Sequence, residues 1–99
     1  MNTIYQLTVE LCDVLKANYA KRGSGAMEYN YVIEPGRKFF KIIQVNNQRS
    51  VHAFVDKKTG DLYKAASWRA PAKGVRYNLI NDMNILRKNA DWAGSYLYR

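Results

Sequence analysis

His52 is the only histidine of this chain and Cys12 the only cysteine, so any chemistry must be built from few reactive groups. On an extended segment Ser50 and His52 share a face, as a nucleophile and its base would, with Ser67, Asp56 and Asp61 the nearest further members of a triad. Around them nothing resembles a nucleophile elbow or an oxyanion-hole glycine pair. A lone histidine in an antiparallel sheet is ordinarily a packed or exposed structural residue, and no enzymatic activity is expected. One Cys and one His cannot close a zinc site. Asp56 and Asp61 flank a turn beside two lysines, where carboxylates satisfy local backbone amides rather than cage a cation. Gly23, Gly25, Gly36, Gly60 and Gly74 match neither a Walker A loop nor a dinucleotide fingerprint. The sequence implies no metal and no cofactor.

Cations and rings are the groups that remain. Sixteen Lys/Arg against eight Asp/Glu give a net charge of +8. Met1–Gly36 carries −1 and Tyr77–Arg99 carries +1, so Arg37–Arg76 alone holds +8. That surplus is Arg37, Lys38, Lys41, Arg49, Lys57, Lys58, Lys64, Arg69, Lys73 and Arg76, set against only Asp56 and Asp61. Tyr63, Trp68 and Tyr77 are interleaved, so phosphates could meet cations while unstacked bases meet rings. The alternative for Trp68 and Tyr77 is a place in a small core. A positive surface this concentrated stores self-repulsion that a polyanion relieves. The expected partner is nucleic acid, DNA ahead of RNA, bound with weak sequence preference. The competing expectation is an acidic protein surface, for which basic patches speed association.

These groups need a scaffold. Thr3 and Gln6 have capping-box spacing, opening a helix from Ile4 to about Ala20 with Leu7, Leu11, Leu15 and Tyr19 on one stripe. Gly23-Ser24-Gly25 releases it. Cys12 sits beside Leu11 and Leu15 as a small packed side chain. Strands are expected within 27–66. Tyr29–Glu34 ends at Pro35-Gly36, which suits a type II turn with Gly36 at positive φ. Lys38–Val45 is apolar on both faces, with Phe39, Ile43 and Val45 opposite Phe40 and Ile42, which marks a central strand covered on both sides. Ser50–Val55 and Leu62–Ala66 flank a hairpin loop in which Gly60 takes the αL position. Residues 67–77 read as ordered coil anchored by Trp68, Val75 and Tyr77. Asn78 or Asn81 caps a short helix through about Asn89, with Ile80, Met83, Leu86 and Ala90 at helical spacing. Gly94 ends it, and 91–99 forms a packed tail or edge strand. The expected architecture is a single α+β domain over 1–99, an N-terminal helix packed on a three- to four-stranded antiparallel meander. Its second sheet face must be covered either by helices on opposite sides or by a second copy in a homodimer.

Ninety-nine residues suffice for one modest core and exclude a multidomain enzyme or transporter. A single cysteine excludes a disulfide scaffold and fits a reducing compartment. The N-terminus lacks a basic n-region, Glu10 and Asp13 interrupt any apolar h-region, and no apolar run is long enough for a membrane span.

From Ser50 through Leu79 the chain reads SVHAFVDKKTGDLYKAASWRAPAKGVRYNL. The block resembles one found in small proteins of tailed bacteriophages, where a strand ending in FVD, a KTGDLYK hairpin and a SW(R/K)APAKG.RY coil recur together. The resemblance implies a phage origin and the host bacterial cytoplasm. It carries no activity, so no catalytic residue follows from it. Host takeover, through a protein that inhibits a host or defence protein, is the matching form of the second expectation. By architecture alone, the helix-backed meander is similar to the sheet-reading DNA-binding domains of phage integrases.

Overall fold

A computed structural model describes residues 3–22, 30–46 and 48–98. The Gly23-Ser24-Gly25 connection and the strand expected from residue 27 to 29 lie outside them. The elements are α1 (Ile4–Arg22), β1 (Asn30–Pro35), β2 (Phe39–Val45), β3 (Arg49–Asp56), β4 (Asp61–Lys64), β5 (Tyr77–Asn78), α2 (Leu79–Asn89) and a 3₁₀ turn, Ser95–Leu97. This is the expected α+β fold, with the sheet extended to five antiparallel strands in chain order.

Both helix starts obey local chemistry. Thr3 Oγ1 accepts from the Gln6 amide at 3.1 Å and Gln6 Oε1 from the Thr3 amide at 3.0 Å, the reciprocal pair that removes two orphan donors. At α2, Asn78 Oδ1 accepts from Ile80 and Asn81, and the Asn78 amide donates to Asp82 Oδ2 at 2.8 Å. Asn78 Nδ2 also donates to the Thr59 carbonyl and to Asp61 Oδ1, fastening the helix start to the β3–β4 turn. Asn78→Ala is therefore expected to cost about 2 kcal/mol in urea unfolding, the upper end for a lost cap, while Asn81→Ala costs under about 0.5 kcal/mol.

Register assigns the two faces of the sheet. Phe40, Ile42, Ala53, Val55 and Leu62 share one face, and both helices pack there through Leu7, Leu11, Leu15, Met83 and Leu86. Phe39, Lys41, Ile43, Phe54 and Tyr63 take the other. Ile42 and Ile43 are both fully buried, as a doubly covered central strand requires. The helices do not lie on opposite sides as one expectation had it: both pack on one face, and the coil after β4 arches over part of the second. Backbone bonds hold that arch: Ala66 and Ser67 amides to the Ala70 carbonyl, an Ala65–Pro71 bridge, Ala72 N–H to Lys64, and Arg76 N–H to Leu62. Trp68 and Val75, expected as anchors, are instead 43% and 49% exposed.

Three further local expectations change. Gly36 does not take a positive φ, because its amide donates to the Phe39 carbonyl and places Arg37-Lys38 at the centre of the turn. Ile80 is 59% exposed, and Leu79 fills the core position instead. The tail is neither edge strand nor loose end, since Tyr96 and Leu97 are buried in the 3₁₀ turn that follows Gly94 at φ 82°. Gly60 does adopt the expected left-handed conformation, φ 80°. No helix among the described residues is long and apolar enough to cross a membrane.

Candidate functional site

Arg37 and Lys38 project from the β1–β2 tip, both exposed. Further along β2, on the helix-free face, Lys41 Nζ lies 4.8 Å from the Trp68 ring centroid, 5.9 Å from that of Phe54 and 3.6 Å from Glu34 Oε1. With a side chain only 15% exposed, Lys41 props the arch rather than facing solvent. Arg69, next to Trp68 at the arch tip, completes a groove of about 230 Å³ lined by Arg37, Lys38, Lys41 and Arg69, with the Glu34 carboxylate among them, over Phe39 and Phe54. Across the tip, Arg49 and Trp68 border a second depression of about 370 Å³. Arg49 pairs with Val45 in register, so it belongs to the same side of the sheet.

The other expected cations part from this group. Lys57 Nζ lies 5.2 Å from the Phe40 ring and Lys64 Nζ 4.7 Å from that of Tyr98, both on the helix-bearing side. Lys58 sits at the exposed β3–β4 tip and Lys73 on the returning limb of the arch. Arg76 folds back, its Nη1 donating to the Lys73 and Gly74 carbonyls. The ten cations of the central segment thus do not make one surface. Among the described residues, Arg37, Lys38, Arg49 and Arg69 form no ion pair, and the first helix commits Glu10 to Arg87 instead.

The three rings separate as well. Trp68 stands at the arch tip. Tyr63 lies on the helix-free face, edge-on to Phe39 at 5.8 Å. Tyr77 is 7% exposed and its hydroxyl donates to the Tyr96 carbonyl at 3.0 Å, so it is a core residue and offers no stacking face. Phe39 and Phe54, which floor the cationic groove, escape sequence reading because alternation also suits them to an ordinary core.

His52 occupies a different place. Ile42 pairs with Ala53 but Ile43 with Val51, which leaves His52 as the extra residue of a bulge in β3. Its Nε2 lies 2.7 Å from Tyr96 Oη, with the Tyr96 ring stacked at 5.6 Å and Tyr31 edge-on at 5.8 Å. Burial between these rings lowers its pKa to about 4, against the opposing pull of Asp91. Tyr96 is pushed well above the usual tyrosine value, chiefly by burial. A cleft of about 260 Å³ opens beside the ring, lined among others by Gln44, Ser50, Lys64, Trp92 and Tyr98. Among the described residues no hydrogen bond joins Ser50 to His52. The Asp91 carboxylate is taken up by Gly94 and Ser95. Among the described residues no carboxylate hydrogen-bonds the imidazole, and its bond to Tyr96 ties the bulge to the C-terminal turn.

The remaining reactive groups are likewise internal. Burial, with Asp13 adding to it, pushes the Cys12 thiol up to about 12, far from the thiolate form. Asp56 Oδ1 accepts from the Lys58 and Thr59 amides. Burial alone would raise its pKa, but those amides and Lys38 bring it below the usual value. Among the described residues no three His, Cys, Asp or Glu side chains gather as metal ligands would.

The model of a family of unknown function, DUF7717, matches residues 1–99. No curated protein and no solved structure matches the chain.

Proposed function

We propose a function for a chain that belongs to the DUF7717 family: it binds nucleic acid, DNA first, with weak sequence preference, through the helix-free side of its sheet. The observation that carries this reading is the set of four cations, Arg37, Lys38, Arg49 and Arg69, that form no ion pair among the described residues, around an arch with an exposed tryptophan. Exposed cations not held in an ion pair are the ones a phosphate backbone can neutralise, with Lys38 also facing Asp56. The likeness of Ser50–Leu79 to tailed-phage proteins supports setting this binding in the cytoplasm of an infected bacterium.

The test is the salt dependence of binding to labelled oligonucleotides, followed by fluorescence anisotropy. Four phosphate contacts give a log–log slope of about −3.6 on duplex and about −2.8 on single strands. A flat dependence overturns the proposal. The same face also exposes Val32 at 43%, which favours a second reading, docking on an acidic host protein. A pull-down from host lysate separates the two. Captured material lost on nuclease treatment supports nucleic acid, and a stoichiometric host protein that survives it supports the effector.

A further inference from the structure

We infer that the nucleic acid is single-stranded and that the depression beside Trp68 receives one unstacked base, an inference that rests on the function proposed above. Trp68 is 43% exposed although an ammonium group lies only 4.8 Å from its ring centroid. Among the described residues no aromatic ring packs against it, so a π-face is left for a ligand. The backbone bonds of Ala66 and Ser67 to Ala70 fix the turn that carries the ring, which reduces the ordering cost of stacking.

The depression itself has the chemistry of a base slot. Val51, Ala65 and Ala66 supply a small apolar floor, Ser67 supplies a hydroxyl that also accepts from the Arg69 amide, and Arg49 supplies a cation at the rim. A hydroxyl that can donate or accept suits more than one base edge, in keeping with weak sequence preference. Trp68 lines this depression while its neighbour Arg69 lines the cationic groove. A strand crossing the arch tip can therefore lay phosphates along Arg69, Arg37 and Lys38 while a base turns onto Trp68. In a duplex the base faces are stacked on one another and hidden from such a ring. The arch also rises from the sheet face on which a duplex would have to lie.

The experiment uses the full chain carrying Trp92→Phe, so that emission reports Trp68 alone; Trp92 packs edge-on against Tyr19, a contact phenylalanine retains. The probes are oligo-dT, oligo-U, an abasic strand with the same phosphate count and a duplex. Oligo-dT is expected to quench the emission and to bind more tightly than the abasic strand or the duplex. The oligo-U arm tells RNA from DNA as the source of the base. Trp68→Ala should weaken oligo-dT binding about 5- to 150-fold, the value of one base–aromatic stack, and leave abasic binding unchanged. Trp68→Leu keeps apolar bulk over Lys41 without a π-face and should lose the same affinity, which guards against a folding defect in the alanine variant. Should duplex and abasic strands bind with a steep salt slope while Trp68→Leu changes nothing, this inference is wrong and the function above stands. Failure of all four probes to bind removes both.

Discussion

Arg37→Gln, Lys38→Gln, Arg49→Gln and Arg69→Gln combined in one variant are expected to abolish nucleic-acid retention at physiological salt without unfolding the protein. Each of the four is exposed and forms no ion pair among the described residues, so each substitution should change stability by less than about 0.5 kcal/mol. Loss of four phosphate contacts removes about 2.8 from the log–log salt slope on a single strand and lowers affinity by on the order of 10²-fold at 150 mM salt. Total charge is controlled by a second quadruple variant, Lys57, Lys58, Lys73 and Lys88 to Gln. Both variants drop from +8 to +4. If they weaken binding equally, the long-range field of the protein is responsible and the groove around the arch is not a site.

Acid should unfold the protein earlier than its carboxylates require. His52 has a folded-state pKa of about 4 against 6.5 for a free imidazole, because the rings of Tyr31 and Tyr96 enclose it in the neutral form. The unfolded chain binds that proton more readily, so stability is complete above about pH 6.5 and falls as the pH drops toward 4. Two and a half pK units correspond to about 3 kcal/mol, a large share of the 5–15 kcal/mol typical of a small domain. Asp56 acts in a separate window, since a carboxyl held below its usual value of 3.8 loses its contribution only as the pH falls further. Urea unfolding between pH 7.5 and 4.5 should show the loss in the wild type and not in His52→Asn. That variant is expected to start about 1–3 kcal/mol less stable, with the Tyr96 hydroxyl less well satisfied. An equal slope in both proteins would assign the acid sensitivity to other groups.

What the sequence discloses here is what neighbours in the chain decide. The Thr3–Gln6 capping box, the left-handed Gly60 and an asparagine cap narrowed to Asn78 or Asn81 each depend on residues within four positions, and the structure selects Asn78. The α+β class follows from long-range alternation and helical spacing, which survive small errors of boundary. The errors fall where pairing across the sheet decides. Pro35-Gly36 has turn chemistry, but the register of Pro35 against Phe40 moves the turn forward and puts two cations at its centre. No local signal announces the bulge at His52, because an extra residue in β3 is defined only against β2. β5 is two residues long and exists by pairing with Asp61 and Leu62. At the site, charge density is legible but its division is not. Strand alternation sends Lys41 and Lys64 to opposite faces, and the path of the arch decides that Trp68 is presented while Tyr77 is interred.

The chain-order sheet also governs how the molecule comes together. Every strand hydrogen-bonds to the next one along the polypeptide, so each pairing closes a short loop and little entropy is lost before contacts form. The exception is α1, whose packing on α2 joins segments from the two ends of the molecule. Folding should accordingly nucleate in the β2–β3–β4 hairpins, with α1 docking last. Substitutions at Val55 or Leu62 will slow refolding, whereas those at Leu11 or Leu15 will mainly hasten unfolding. On the ribosome α1 emerges before α2, so the contacts between the two helices must wait for the later one.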